Sequence, residues 1–397
     1  MHILIIHSGS DIYGASRSLL RLGSDLIKRG HRLTVVVPHE GPLCDQLRQN
    51  GADVAIHPAL TIVTRAGPGT VAGRILRLAR LPFSALWLAA FIRRTRPEVV
   101  HSNTAVILSA ALAAKLTGTP HVWHIREFFF EFGSLWKLYQ RYIARLSWKI
   151  VCVSSAVADQ FDETIKREKT CVIYDGIPEP PVESLSVVQD FRRRFGIGAE
   201  NRGVAGVIGR IKFGRKGQET FVRAAALLRP RFPHARFIIT GSPFPGNEQH
   251  LERLQVLIRE LGVEDNVIFT GEMDDVGPVY ASLDVLVLSS GLPEPFGLVL
   301  IEAMARRVPV IATRAGGPGE ITDDGRAGIL VAPNDPQDMA DAIGRVFEDT
   351  EAARRIGEAG RRRYETMFQE QKFVDQMVAL YQAAAGCCDE HTARVAG

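Results

Sequence analysis

The chain has 397 residues, more than one ordinary hydrophobic core holds, so two or three domains are expected. Apolar residues make up 46% and charged residues 23%, a balance that excludes disordered, collagen-like and integral membrane classes. A net charge of +4 with no concentrated Lys/Arg run gives no argument for nucleic acid.

The chain opens on Ile3-Leu-Ile-Ile6, without a basic start or a small-residue cleavage site, and this predicts a buried first strand rather than a secretion signal. The loop Ser8-Gly-Ser-Asp-Ile-Tyr-Gly-Ala-Ser-Arg-Ser18 leads into a helix ending near Lys28. It lacks G-x-G-x-x-G and is weak evidence for NAD, although Gly14 is placed to approach a phosphate. Further apolar runs follow at Leu33 to Val37, Val54 to Ile56, Val99 to Val100, His121 to His124, Ile150 to Val153 and Cys171 to Ile173. Continuous apolar strands separated by helices predict a parallel sheet covered on both faces, a doubly wound α/β domain over residues 1–178. The stretch Leu81 to Ile92, about 12 residues, falls well short of the roughly 20 that span a bilayer. Arg74, Arg77, Arg80, Arg93, Arg94 and Arg96 surround it, within a segment that begins at Arg65, and Trp87 lies inside it. It reads as a helix packed on the sheet, or as a peripheral contact with an anionic leaflet that has the tryptophan at the interface. Cys44, Cys152, Cys171, Cys387 and Cys388 have no metal-type spacing, and a reducing cytoplasm is the simplest home.

After Gly176-Ile177-Pro178 the chain turns to Glu-Pro-Pro-Val-Glu-Ser-Leu-Ser, which predicts an exposed connection over 179–200. A second strand series, Gly203 to Ile208, Arg236 to Thr240, Val267 to Thr270, Val285 to Leu288, Val310 to Ala312 and Gly328 to Val331, predicts a second α/β domain over 201–368. The last segment, 369–397, holds a helical pattern near Gln371 to Ala385 that suits packing on either domain, then a frayed end. Two such domains facing each other put the carboxyl ends of their strands on a shared cleft.

Three strings carry candidate chemistry. In Ser289-Ser-Gly-Leu-Pro-Glu-Pro-Phe-Gly-Leu-Val-Leu-Ile-Glu-Ala-Met-Ala305 a strand leads to Glu294 and then to a helix expected to start near Phe296 or Gly297. Backbone N–H groups of Phe296, Gly297 and Leu298 at a helix start suit a diphosphate. Were Glu294 and Glu302 both on one helix they would lie roughly 12 Å apart, a span that suits the sugar hydroxyls at one end and the ribose diol at the other. The plain alternative is a solvated helix start. In Val207-Ile-Gly-Arg-Ile-Lys-Phe-Gly-Arg-Lys-Gly217, Gly209 permits a tight turn while Arg210 and Lys216 reach toward phosphate, or the string is a basic surface loop. In Ala312-Thr-Arg-Ala-Gly-Gly-Pro-Gly-Glu-Ile321, Gly316 and Gly317 either admit a ligand closely or simply turn the chain.

Taken together, these strings resemble the retaining glycosyltransferases with two Rossmann-like domains, the GT-B fold, family 4. The resemblance runs from before Arg17-Ser-Leu-Leu20 to Gly325-x-x-Gly-Ile-Leu-Val-Ala-Pro-Asn-Asp335, and Glu294 to Glu302 resembles the family's E-x7-E signature. It implies Glu294 on the donor sugar, Glu302 on the ribose, Arg210 and Lys216 on the diphosphate, and Phe296, Gly297 and Leu298 as backbone donors. Nucleobase contacts would come from Thr270, Gly271 and Met273, with Gly209 in the donor loop. Ser154 and Gly176 match ordinary family landmarks. Where many members carry a catalytic His, this chain reads His121-Val-Trp-His-Ile-Arg-Glu127, so Arg126 or His124 inherits the role, or His124 is a core histidine. The family generally needs no metal and no cofactor beyond its nucleotide-sugar, here UDP- or GDP-linked. The implied reaction is front-face transfer with retention to a glycan or lipid-linked acceptor held by the first domain. The implied setting is cell-envelope or exopolysaccharide synthesis in the cytoplasm, at the inner face of the membrane. The rival readings are a nucleotide-sugar epimerase and a non-catalytic sugar-nucleotide-binding subunit.

Overall fold

Each apolar run becomes a strand because its side chains are buried in alternation on two faces. Ile3, Leu4, Ile5 and Ile6 are all fully buried. Ile3 and Ile5 pack with Leu19, Leu22 and Leu26, whereas Leu4 and Ile6 pack with Leu88, Ile92 and Ala110. Period-two alternation with helices on both sides leaves no polar positions, which is why these strands read as unbroken hydrophobic runs.

The computed structural model describes residues 1–60, 79–198, 200, 201 and 203–395. Arg65, Arg74, Arg77 and the side chains of Cys387 and Cys388 fall outside that description. The chain divides into two units, Met1–Gly176 with Glu370–Gly397, and Ile177–Gln369. In the first, β1 (His2–Ile6), β2 (Arg32–Val37), β3 (Asp53–Ile56), β4 (Val99–Ser102), β5 (His121–Ile125), β6 (Lys149–Cys152) and β7 (Thr170–Val172) form a parallel sheet in the order β3-β2-β1-β4-β5-β6-β7. In the second, β8 (Val204–Ile208), β9 (Arg236–Thr240), β10 (Val267–Gly271), β11 (Val285–Leu288), β12 (Val310–Thr313) and β13 (Ile329–Val331) form a parallel sheet in the order β10-β9-β8-β11-β12-β13. Both are doubly wound, with strand order reversing at β1/β4 and at β8/β11.

One segment differs from the sequence reading, and a second settles what that reading left open. Within the expected connection, Leu185–Arg194 is a helix of the second unit, capped by Ser184, whose hydroxyl accepts from the Val187 amide at 3.4 Å, and anchored by buried Phe191. The prolines before it mask that helix start. The final helix, Glu370–Val395, belongs to the first unit, where Phe373, Val374, Met377, Tyr381 and Ala384 enter the core at helical spacing. Tyr381 Oη lies 2.7 Å from His101 Nδ1, and burial pushes its pKa up, so the hydroxyl stays a neutral donor. Tyr381→Phe is expected to destabilise the protein by about 1–2 kcal/mol, read as a lower urea midpoint with an unchanged slope.

Candidate functional site

In open α/β sheets the crevice at the switch point is the ligand position, because the loops leaving the two central strands diverge there. In the second unit those loops follow β8 and β11. Gly209 ends β8 with φ +142°, and a Cβ at Gly241, itself at φ +129°, would sit 2.2 Å from the Gly209 carbonyl oxygen. Gly217 (φ +68°) presses on the β11 loop so closely that a Cβ there would lie 1.7 Å from the Ser289 carbonyl oxygen. The Ser289 hydroxyl donates to the Lys216 carbonyl at 2.9 Å, and the Gly291 amide to the Arg215 carbonyl at 3.0 Å. Glycine is required at 217 because the two backbones touch.

That contact brings Lys216 Nζ to 2.8 Å from Glu294 Oε2, and the Ser290 hydroxyl donates to the same oxygen at 2.9 Å. The Thr313 hydroxyl in turn holds the Ser290 carbonyl at 2.9 Å. Burial works to raise the Glu294 pKa, but Lys216, Ser290 and Arg215 together hold it below the usual carboxylate value, so the group is ionised. The glycine-rich turn after β12 serves this loop. Gly317 N–H donates to the Glu294 carbonyl at 2.9 Å, and a Cβ on Gly316 (φ +83°) would meet that carbonyl at 2.3 Å. Gly316 and Gly317 therefore admit the backbone of the Glu294 loop.

The following helix runs from Leu298 to Ala305 with Gly297, at φ +112°, as its cap, so it starts a residue or two later than expected. The 12 Å span assumed one helix carrying both glutamates; Glu294 precedes the helix, and that ruler does not apply. Phe296 is 5% exposed with its ring edge-on to Phe368 at 6.0 Å, so its side chain is core and only its backbone faces the loop. Leu298 opens the helix, where N–H groups have no preceding helical carbonyl to bond. Glu302 Oε2 accepts from the hydroxyl of buried Tyr280 at 2.8 Å, and the Arg306 guanidinium covers the Tyr280 ring at 5.0 Å. Arg210 lies over the Phe244 ring at 4.5 Å, at the end of β8. The amide of Gly241 donates to the Gly271 carbonyl at 2.8 Å, which sets Thr270 and Gly271 beside the end of β9, with β9 between them and Gly209; Met273 follows, half-buried. The structure thus joins Lys216, Ser290 and Glu294 directly. Ser290, Thr313 and Tyr280 were not singled out by sequence reasoning. Ser290 lies inside the quoted string, but Tyr280 sits on another helix and carries no local signal.

The first unit treats its candidates differently. Gly14 opens the helix Gly14–Lys28 behind extended Tyr13. Arg126 pairs with Asp175 at 2.5 Å and donates to the Ser18 hydroxyl at 2.9 Å, with the two charged side chains 8% and 2% exposed. Its guanidinium is held by the protein, and Glu127 accepts from the Ala105 and Arg126 amides at 3.2 and 3.1 Å. His124 is fully buried, stacked on His101 at 5.6 Å, and burial, aided by Arg126, pushes its pKa far down. Its ring is neutral and belongs to the core, the second of the two readings the sequence leaves open for it.

Sequence models of two families match in succession, "Glycosyltransferase Family 4" over residues 12–179 and "Glycosyl transferases group 1" over 189–363. The chain belongs to the group 1, family 4 glycosyltransferases. Among curated relatives of this family member, the D-inositol 3-phosphate glycosyltransferase of Corynebacterium jeikeium is 37% identical over 171 residues, 42% of this chain and 40% of the relative. The GDP-mannose-dependent alpha-(1-6)-phosphatidylinositol monomannoside mannosyltransferase of Mycolicibacterium smegmatis is 35% identical over 179 residues, 43% of this chain and 44% of the relative. The matched span is less than half the length of either relative. The crystal structure of Anabaena HepE with UDP-glucose superposes with a TM-score of 0.79 at 24% identity, covering 96% of this chain and 100% of that one. With the two doubly wound sheets, that likeness makes the fold of this glycosyltransferase family member GT-B.

Proposed function

We propose that the protein moves a sugar from a UDP- or GDP-sugar to a glycan or lipid-linked acceptor in cell-envelope or exopolysaccharide synthesis, with retention and without a metal ion. The observation that carries this is the Lys216–Glu294–Ser290 cluster at the β8/β11 switch point, just before the helix start at Leu298. Ionised Glu294 accepts hydrogen bonds from sugar hydroxyls. Lys216 has three donors, so one can keep Glu294 ionised while another meets a phosphate oxygen. With Arg210 and the first amides of the helix, it stabilises the nucleoside diphosphate as it leaves. The bond from the sugar C1 to phosphate oxygen breaks, the acceptor oxygen bonds C1 from the same face, and the acceptor proton passes to the departing phosphate. Glu302 takes the ribose diol. Arg126 supports the first unit's loops through Asp175, and Gly14, at a helix start, keeps its place among the donor-binding residues.

The name of the M. smegmatis relative specifies GDP-mannose and the HepE structure contains UDP-glucose, so the proposal keeps both nucleotides. A thermal-shift panel of UDP- and GDP-sugars, followed by product analysis with and without acceptor, tests it. One donor should raise Tm, since a ligand that binds only the folded state stabilises it. A new glycosidic bond of the donor's own anomeric configuration supports the proposal. Donor converted to its epimer without acceptor makes the protein an epimerase, and binding without transfer makes it a binding subunit.

Tyr280→Phe is a finer test. It removes the hydroxyl that orients Glu302 and is expected to weaken donor binding roughly tenfold with kcat little changed. The loss should shrink for a 2′-deoxyribose donor; an equal loss for both donors means Tyr280 acts through packing.

A further inference from the structure

Three helices of the first unit, Leu81–Thr95, Leu108–Thr117 and Leu135–Leu146, contain no Asp or Glu at all. They carry Arg93, Arg94, Lys115, Lys137, Arg141 and Arg145, all exposed. The helices lie side by side. An Arg93 guanidinium N–H donates to the Leu116 carbonyl at 3.3 Å, and the Tyr142 hydroxyl to the Leu108 carbonyl at 2.8 Å. Helices on the other face of the same sheet mix their signs, with Asp25, Asp45 and Asp375 among their basic residues. The asymmetry therefore belongs to one face and not to the unit's composition.

The same face leaves large apolar side chains in solvent. Phe83 is 74% exposed, Leu86 61%, Leu116 49%, Leu135 64% and Leu138 69%. A surface helix ordinarily turns its apolar stripe to the core and its polar stripe outward, as Leu88 and Ile92 do on the first of these helices. Here apolar groups point both ways. Trp87, 37% exposed, stacks on His57 (4.1 Å) and on Phe91 (5.2 Å), and Phe83 and Leu86 stand in solvent on the same helix. Among the described residues no helix is long and apolar enough to cross a membrane.

We propose that this three-helix face docks the protein on an anionic bilayer surface. Cations unmixed with anions meet the headgroup charge, and the phenylalanine and leucine side chains enter the headgroup–acyl boundary, where cations alone would gain nothing from them. A nucleic acid would match the charge but leave those side chains in water. A second copy of the same face would bring the same cations and be repelled. The inference needs neither donor nor acceptor and stands apart from the sugar-transfer reading.

The test is co-sedimentation of the full chain with phosphatidylcholine vesicles, with and without about a third phosphatidylglycerol, at low and high salt. Binding is expected only to the anionic vesicles and weaker at high salt. Each cation near the surface changes partition about fivefold, so Lys137→Glu/Arg141→Glu/Arg145→Glu should weaken it at least about a hundredfold. The exposed pair Phe83→Ser/Leu138→Ser should also reduce it, while Arg354→Glu/Arg355→Glu/Arg362→Glu in the second unit should not. Thermal melts confirm that each variant folds. No binding by the parent protein, equal binding to neutral vesicles, or unchanged binding by the first triple variant overturns the proposal. So does concentration-dependent self-association that Leu138→Ser abolishes in the absence of vesicle binding.

Discussion

Glu294→Ala is expected to lower kcat/KM for sugar transfer by at least about 10³-fold, the scale of losing a charged group that acts on the reacting sugar. Its melting temperature should stay close to that of the parent. The two expectations separate because the loop is seated by the backbone of Glu294, not its side chain: the amide donates to Ala315 at 3.1 Å and the carbonyl accepts from Gly317 at 2.9 Å. Alanine keeps both bonds and removes only the carboxylate that Lys216 and Ser290 orient. Glu294→Gln retains the shape without the charge and should fall between the two. Initial-rate kinetics alongside a thermal melt check the set; near-normal turnover by folded Glu294→Ala would show that the donor sugar does not bind there.

Lys216→Ala is expected to cost about 10²–10³-fold in kcat, because the cation that stabilises the leaving diphosphate is gone. It should also change the pH profile. In the parent, Lys216, Ser290 and Arg215 outweigh burial and keep the Glu294 pKa below its usual value. A carboxylate depressed in the folded state contributes stability above its unfolded pKa of about 4.3, and that contribution is lost as pH falls through the folded value. Without Lys216, burial pushes the Glu294 pKa upward, so the acid limb of the pH–rate profile should move to higher pH. Lys216→Arg restores charge without the same reach and should recover part of the rate while returning the limb toward its original position. An unmoved limb in Lys216→Ala would show that the 2.8 Å pair has no bearing on catalysis.

The strands were legible because a buried parallel strand is apolar on both faces, and Ile3 to Ile6 or Val285 to Leu288 announce themselves without any partner in view. The Glu294 string was legible for a similar reason: strand, loop glutamate and helix start are consecutive. For Arg126 the partner Asp175 stands 49 residues further on and is not legible locally, so in sequence an arginine after a strand reads as a substrate contact. His124 stayed open between a catalytic and a core reading, since a strand-end histidine looks the same in sequence whether its ring meets solvent or His101.

By itself the sequence determined the two strand–helix series, the glycines that free the backbone at 209 and 217, and the presence of Lys216 and Glu294. Those are properties of neighbouring residues, set by period, burial and turn chemistry over a few positions. Tertiary structure alone decided that Lys216 and Glu294, 78 residues apart, share a hydrogen bond, that Tyr280 holds Glu302, and that the last helix returns to the first unit. Those meetings depend on β8 lying beside β11 and on a close backbone approach at Gly217, and strand order in a sheet is a global packing outcome that no local pattern encodes.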